Sequence, residues 1–119
     1  MTALAQAQAE FRGFWVDGFN EGFHTPEQVD TLLQRVRAAQ MNAVIVQMRK
    51  RGDAHYLSPL EPFATQQQSG FDALAYLIQK AHGETPRIEV HVWVNCHPIW
   101  PGSGWPNDPK HILNRYPEI

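Results

Sequence analysis

Polar and aromatic side chains gather around the ends of three short apolar segments of this sequence. They include carboxylates, amides, an imidazole, a guanidinium and indoles; the predicted set is Asp17, Arg49, Asp53, Tyr56, His91, Trp93, Asn95 and Trp100, with Gln47, His55 and His97 as supplementary members. A sugar ring needs a flat apolar platform and several directed hydrogen bonds, which such groups supply. The residue types therefore predict a carbohydrate-binding site.

Several of these residues fit a structural role equally well. Asp17 and Arg49 suit a buried ion pair, and His91, which lies among valines, suits a hydrogen-bonded core histidine. Trp93 suits core packing. Trp100 is harder to explain in this way, because a loop rich in proline and glycine rarely exposes tryptophan to solvent.

Other chemistries find less support in the sequence. His91, Cys96 and His97 carry metal-ligand atoms, but strand alternation puts His91 and Cys96 on opposite faces, so we predict no metal site. For the same reason Cys96 and His97, as neighbours on a strand, diverge and do not form a nucleophilic pair. The segment from Asp17 to Gly22 lacks the G-x-G-x-x-G pattern, and we predict no cofactor.

Composition narrows the class of protein further. The chain has 119 residues, with 10 Lys plus Arg against 12 Asp plus Glu, and this balance disfavours nucleic-acid binding. No apolar run approaches the roughly 20 residues of a membrane span. The single cysteine excludes an internal disulfide. We predict one domain over residues 11–119, preceded by a disordered N-terminus or signal-peptide remnant over 1–10, where the Ala-x-Ala texture resembles the region before a signal cleavage site.

Strand and helix patterns alternate along the domain. Strands are expected over residues 11–19, 43–48 and 88–96, and the helices between them begin at the caps Thr25 and Asp72. Gln28 is expected to complete a capping box with Thr25, and Asn42 to end the first helix in a left-handed conformation. The order β-α-β-α-β predicts an α/β fold with parallel strands, either doubly wound or a (β/α) barrel.

Side chains of each strand alternate between an aliphatic and a polar or aromatic face. The aliphatic rows are Phe14 and Val16, then Val44, Val46 and Met48, then Ile88, Val90, Val92, Val94 and Cys96. The opposite rows are Trp15 and Asp17, then Ile45, Gln47 and Arg49, then Glu89, His91, Trp93 and Asn95. Ligands of parallel α/β folds bind at the carboxyl ends of the strands, where most of the predicted site residues lie. The twenty-residue loop over 50–70 is long enough to be functional.

Segments in order along the chain resemble the glycosyl hydrolase-like 10 family. They are Phe11–Asp17 ("RG-x-W-[VL]"), Met41–Phe63 ("MNAV-x-x-QVR-x-x-GDA-x-Y-x-S…EP"), Phe71–His82 ("yDPL…EAH"), Glu89–Asn95 ("xxHAWxN") and Asn114–Glu118 ("HPEW"). Gln40 replaces the usual glycine, Gly83–Arg87 replaces a shorter turn, and Cys96–Pro98 replaces a Pro-Tyr pair. None of these differences removes a polar residue of the predicted rim.

The resemblance implies a TIM-type (β/α)8 barrel that hydrolyses O-glycosidic bonds, of which this chain is the N-terminal portion, about three strands. It implies that Arg49, Asp53, Tyr56, His91, Trp93 and Asn95 lie at the carboxyl rim. The main catalytic carboxylates are expected beyond residue 119, so the chain alone is expected to be inactive. The resemblance also implies a bacterial, extracytoplasmic protein.

Two other classes of function remain open. One is a non-catalytic carbohydrate-binding α/β module, and the other is an interaction fragment that pairs its strand edges with a partner or a second copy. The expected partner is a carbohydrate, with no nucleic acid and no membrane span.

Overall fold

A computed structural model describes residues 10–118, which form one β-sheet with helices on one face. The elements are β1 (Gly13–Val16), α1 (Pro26–Ala38), β2 (Ala43–Arg49), α2 (Ala73–Gly83), β3 (Glu89–Val94) and α3 (Ile112–Arg115). The strands are parallel, in the order β1-β2-β3. The predicted α/β class with a parallel sheet is confirmed. The N-terminal segment predicted over 1–10 lies, except for Glu10, outside the described residues.

The helix caps follow the sequence signals in part. Thr25 Oγ1 accepts a hydrogen bond from Gln28 N at 3.3 Å, and Asp72 Oδ1 accepts one from Ala75 N at 2.8 Å, as expected. The predicted capping box is wrong in its second half. Gln28 Oε1 accepts from His24 N (2.8 Å) and Gly22 N (3.1 Å), so the side chain secures the loop before the helix.

The end of α1 also differs from the prediction. The left-handed residue is Gln40, with φ 55°, two positions before Asn42. Asn42 has a different role, because its Oδ1 accepts a hydrogen bond from Arg12 N at 2.8 Å and so holds the chain that enters β1. The short polar side chain of asparagine is suited both to ending a helix and to binding the backbone of a neighbouring segment, and Asn42 does the second.

The hydrophobic core lies between the sheet and the two long helices. Its members are fully or almost fully buried: Phe23, Val29, Leu33, Val36, Val44, Val46, Met48, Ala73, Leu77, Ala81 and Ile88. The apolar spacing of Leu33 and Val36 predicts that the first helix packs on the row of Val44 and Val46, and all four residues lie in this core. The apolar pattern of the second helix predicts that Ile78 also packs in the core, but it is 39% exposed. Ala73, Leu77 and Ala81, four apart in α2, are the buried residues, and Ile78 is rotated away from them.

The sheet face away from α1 and α2, here called the open face, carries the polar and aromatic row. Register places Trp15 beside Ile45 and Ile45 beside His91, while Gln47 pairs with Trp93. The period-two alternation ends at a bulge: Met48 is an extra residue, and Arg49 pairs with Val94, which alternation alone assigned to the other face.

Apolar side chains are exposed on both faces of the sheet. Trp15 on the open face is 71% exposed, and Val92 and Val94, which continue the row of Val90, are 46% and 44% exposed. Within residues 10–118, β1 and β3 each pair with one neighbour only. None of the helices in this range is long and apolar enough to cross a membrane.

We predict that Leu33→Ala lowers the free energy of unfolding by about 2–5 kcal/mol, because it leaves a cavity in the hydrophobic core. Urea denaturation monitored by circular dichroism measures the change. Gln34→Ala, on the exposed side of the same helix, is the matched control and should change stability by less than about 0.5 kcal/mol. Similar values for the two variants would contradict the proposed packing of α1.

Candidate functional site

Arg49 connects three segments at the carboxyl end of the sheet. Its Nε donates a hydrogen bond to Glu61 Oε1 and its Nη1 donates to the carbonyl of Asn95. Glu61 Oε2 lies 3.5 Å from Tyr56 Oη, and burial raises the pKa of that phenol. The guanidinium thus joins β2, the loop that follows it and the end of β3. The alternative of an Asp17–Arg49 ion pair is wrong, since Glu61 occupies that place.

Asp17 is engaged within its own loop. Its Oδ1 accepts hydrogen bonds from Phe19 N (2.8 Å), Asn20 N (3.0 Å) and Asn20 Nδ2 (3.0 Å), and Oδ2 accepts a further one from Asn20 Nδ2 (3.1 Å). The side-chain hydrogen bond from Asn20 is the main reason that the pKa of Asp17 is lowered. A pairing with Arg49 predicts from the sequence that this guanidinium lowers the pKa of Asp17, and this is wrong, because Arg49 pairs with Glu61.

Asp53 forms an ion pair with the fully buried Lys50. Burial by itself would raise the pKa of Asp53, but the hydrogen bond and charge of Lys50 outweigh it and keep that pKa low. Burial also lowers the pKa of Lys50. The run Arg49-Lys50-Arg51 by itself predicts a solvated or substrate-facing cluster, and for Lys50 this is wrong: its ammonium is buried, 5.7 Å from the centroid of the Phe19 ring.

Asn95 links the end of β3 to the end of β2. Its Nδ2 donates to the carbonyl of Lys50 (3.1 Å), and its Oδ1 accepts from Trp93 Nε1 (2.8 Å). Trp93 contacts Trp15 edge to face, with 5.6 Å between ring centroids. The prediction set left out Trp15, although the alternation that selected Trp93 assigns Trp15 to the same face. Its exposure makes it the accessible aromatic ring of the pair.

His91 lies on the open face, nearer the middle of the sheet than Trp93. Its Nε2 is 3.0 Å from Glu89 Oε2, and its ring contacts Phe11 edge to face at 5.3 Å. The imidazole is exposed, so it is not the core histidine of the alternative interpretation. Between residues 10 and 118, no group of three His, Cys, Asp or Glu side chains is placed to hold a metal ion.

A stacked pair of histidines joins the loops that follow β1 and β2. His55 is fully buried, and its ring lies 5.2 Å from that of His24 at an interplanar angle of 6°. His55 Nδ1 is 2.9 Å from Gln67 Oε1, and His24 Nε2 is 3.2 Å from the carbonyl of Gly18. A Cβ at Gly18 would meet His55 Nε2 at 2.7 Å, so this position requires glycine.

The histidine pair is uncharged at neutral pH. Burial lowers the pKa of His55 to about 4, and burial likewise lowers the pKa of His24. A neutral pair avoids the repulsion that two stacked imidazolium rings would have so close to the ammonium of Lys50. This pair was not part of the predicted site beyond His55, and its role is to support the loops that carry the site.

Trp100 lies in the loop after β3 and forms a wall of a cavity. The guanidinium of Arg51 lies 5.0 Å from the ring centroid of Trp100, and the ring of His111 contacts it edge to face at 5.4 Å. Trp100 Nε1 donates to the carbonyl of Gly104 (2.9 Å). The cavity beside it has a volume of about 370 Å³ and includes Asp53. The predicted site residues therefore divide between the open face with its rim and this cavity, and their substrate-binding role stays a prediction.

Comparison with known proteins supports a relationship to a hydrolase. No protein-family model matches the chain. The chain is similar to a protein named glycosyl hydrolase YngK of Bacillus subtilis (strain 168), with 31% identity over 113 residues. The match covers 82% of this chain and 22% of that protein, so the chain spans about a fifth of the length of the curated relative. The similarity supports a glycosyl hydrolase-like relationship.

We predict that the free energy of unfolding decreases when the pH drops below the pKa that histidine has in the unfolded chain. The pKa of His55 in the folded chain, about 4, is below the ordinary histidine value of 6.5, so the unfolded chain binds more protons between these pH values. Its contribution is complete above about pH 6.5 and is lost as pH falls towards about 4, amounting to about 2 kcal/mol between about pH 7.5 and pH 5. Urea denaturation at the two pH values measures it.

His55→Gln should show a smaller pH dependence than the wild-type chain, whereas His82→Gln, at an exposed position in α2, should retain all of it. An NMR titration of the His55 ring in the folded wild-type chain provides a second measurement. A ring that titrates near pH 6.5 would contradict the buried neutral pair.

Proposed function

We propose that this chain forms one wall of the sugar-binding cleft of a glycoside hydrolase of the glycosyl hydrolase-like 10 type, as the first three β/α units of a TIM-type (β/α)8 barrel over residues 11–119. The similarity to a glycosyl hydrolase supports the class of reaction. The parallel order β1-β2-β3, with helices on one face, is compatible with such a barrel portion. The exposed Val92 and Val94, which continue the row of Val90, are consistent with a further unit packing beside β3.

The observation that carries the proposal is the aromatic and polar row on the open face, which ends at the rim formed by Arg49 and Glu61. Trp15, exposed and supported edge to face by Trp93, supplies a platform for a sugar ring. The exposed His91 would hydrogen-bond sugar hydroxyls. Asn95 acts through its neighbours, because its amide already holds Trp93 and the carbonyl of Lys50.

Hydrolysis itself requires two carboxyl groups on either side of the glycosidic bond, one as acid and one as nucleophile or base. The carboxylates near the rim are already engaged: Asp17 by its own loop, Asp53 by Lys50 and Glu61 by Arg49. We therefore propose that the main catalytic carboxylates belong to other units of the barrel, and that this chain binds and orients the sugar.

The same engaged carboxylates favour a second candidate function, a carbohydrate-binding module without catalytic activity. An interaction fragment is a further alternative, in which the free edges of β1 and β3 pair with another chain or a second copy.

For the parent protein we propose an extracytoplasmic location, on the Ala-x-Ala pattern of residues 1–9, which lie outside the described residues.

We predict that the 119-residue chain does not hydrolyse glycosides. The measurement is product release from a panel of aryl glycosides and oligosaccharides, with Asp17→Asn as the matched variant and circular dichroism as the check of folding. Turnover by the wild-type chain that Asp17→Asn abolishes would contradict both the inactivity and the position proposed for the catalytic groups.

We predict that Trp15→Ala weakens oligosaccharide binding by about tenfold, because the sugar ring loses the indole on which it stacks. Isothermal titration calorimetry measures the affinity. Trp105→Ala is the control, because Trp105 is also exposed, at 58%, but lies in the loop after β3 and not on a strand of the open face. Equal effects of the two substitutions would exclude the open face as the binding surface.

A further inference from the structure

The cavity beside Trp100 lies between the loops that follow β2 and β3. Its volume of about 370 Å³ falls within the range of small-molecule sites. The two loops line it with aromatic and polar side chains, among them Arg51, Phe63, Trp100, Asn107, Asp108 and His111. Two loops that meet in this way after neighbouring parallel strands commonly form ligand sites.

The cavity combines apolar walls with polar side chains that keep some of their hydrogen-bonding capacity free within residues 10–118. Phe63 and Trp100 supply aromatic surface. The side chain of Arg51 donates no hydrogen bond within residues 10–118, and the nearest carboxylate oxygen, Asp53 Oδ2, is 3.9 Å from its Nε. Asp108 uses Oδ1 to accept from Lys110 N at 2.8 Å, which leaves its other oxygen for a ligand.

The charges around the cavity balance. Asp53 pairs with Lys50 and lies 3.9 Å from Arg51 Nε, and Asp108 adds a second negative charge to the lining, so two positive and two negative groups surround the cavity. His111 already uses both ring nitrogens, one with the carbonyl of Arg51 (3.0 Å) and one with Leu113 N (3.3 Å). A ligand with a net charge would be repelled by the lining group of like charge, either Arg51 or Asp108. An uncharged ligand with several hydroxyl groups would form hydrogen bonds with both.

We propose that this cavity is a subsite for an uncharged pyranose unit of the substrate, with Arg51 donating to its oxygen atoms and Asp108 accepting from a hydroxyl group. Phe63 and the exposed part of Trp100 contact the apolar face of the ring. The inference rests on the proposed carbohydrate-binding function and adds to it a second place of contact, apart from Trp15 and Trp93, and a preference for neutral sugars.

The four tryptophan indole N–H signals distinguish the two places in one NMR experiment. Trp15 and Trp93 report on the open face, Trp100 on the cavity, and Trp105 on an exposed part of the same loop. The 119-residue chain, labelled with ¹⁵N, is titrated with cellotetraose, xylotetraose and chitotetraose, and with tetragalacturonate as a charged oligosaccharide of equal length. We expect at least one neutral oligosaccharide to shift the Trp100 signal and to bind at least about tenfold more tightly than tetragalacturonate.

Substitutions in the cavity provide the second part of the test. Arg51→Met keeps the apolar stem against Trp100 but removes the donors, and Asp108→Asn removes the charge of the acceptor. Each should weaken the binding that Trp100 reports by about tenfold, while Arg87→Met, an exposed arginine outside the cavity, should not. Asn107→Ala is a further cavity variant. Because Asn107 is exposed, its substitution should not prevent folding, so the cavity can still be tested if Arg51→Met does not fold.

The outcomes separate the two proposals. Shifts confined to Trp15 and Trp93 would overturn the cavity subsite and leave the proposed function intact. No shift with any oligosaccharide would overturn both. A Trp100 shift that survives all the cavity variants unchanged, or equally tight binding of tetragalacturonate, would overturn the assignment of Arg51 and the preference for neutral sugars.

Discussion

The polar side chains at the carboxyl end of β2 must find partners inside the protein, and the surrounding loops are arranged by that need. Gln47 accepts from the backbone of Gly18 after β1, Arg49 binds Glu61 and the end of β3, and Lys50 is neutralised by Asp53. An unpartnered polar group at such a depth is strongly destabilising. The central strand therefore determines both the stability of the fold and the shape of its ligand-facing edge.

Local rules were enough to predict the elements and their faces. Apolar periodicity and the caps Thr25 and Asp72 define the helices, and period-two alternation assigned Trp15, Gln47 and Trp93 to one side of the sheet. Both depend on residues that are close in sequence. The sequence was also sufficient to favour parallel strands, since helices connect them.

The partners of the charged groups could not be predicted, because they depend on the path of the long loop over residues 50–70. That path brings Glu61 to Arg49 in place of Asp17, and it buries Lys50 although its neighbours Arg49 and Arg51 are partly exposed. The bulge at Met48 had no signal in the apolar pattern. Likewise Asn42 and Gln28 carry capping side chains whose backbone partners lie outside the pattern that motif rules describe.

The position of β2 between two neighbours has a consequence for motion. A strand that is hydrogen-bonded on both sides and covered by helices opens only with the whole domain, so its amide protons should exchange with solvent more slowly than those of the two edge strands. The buried contacts of Lys50 and His55 hold the neighbouring loops to the end of β2, so these loops should also open rarely. A ligand bound there would meet a surface that is already ordered, and little of its interaction energy would be lost in restricting the chain.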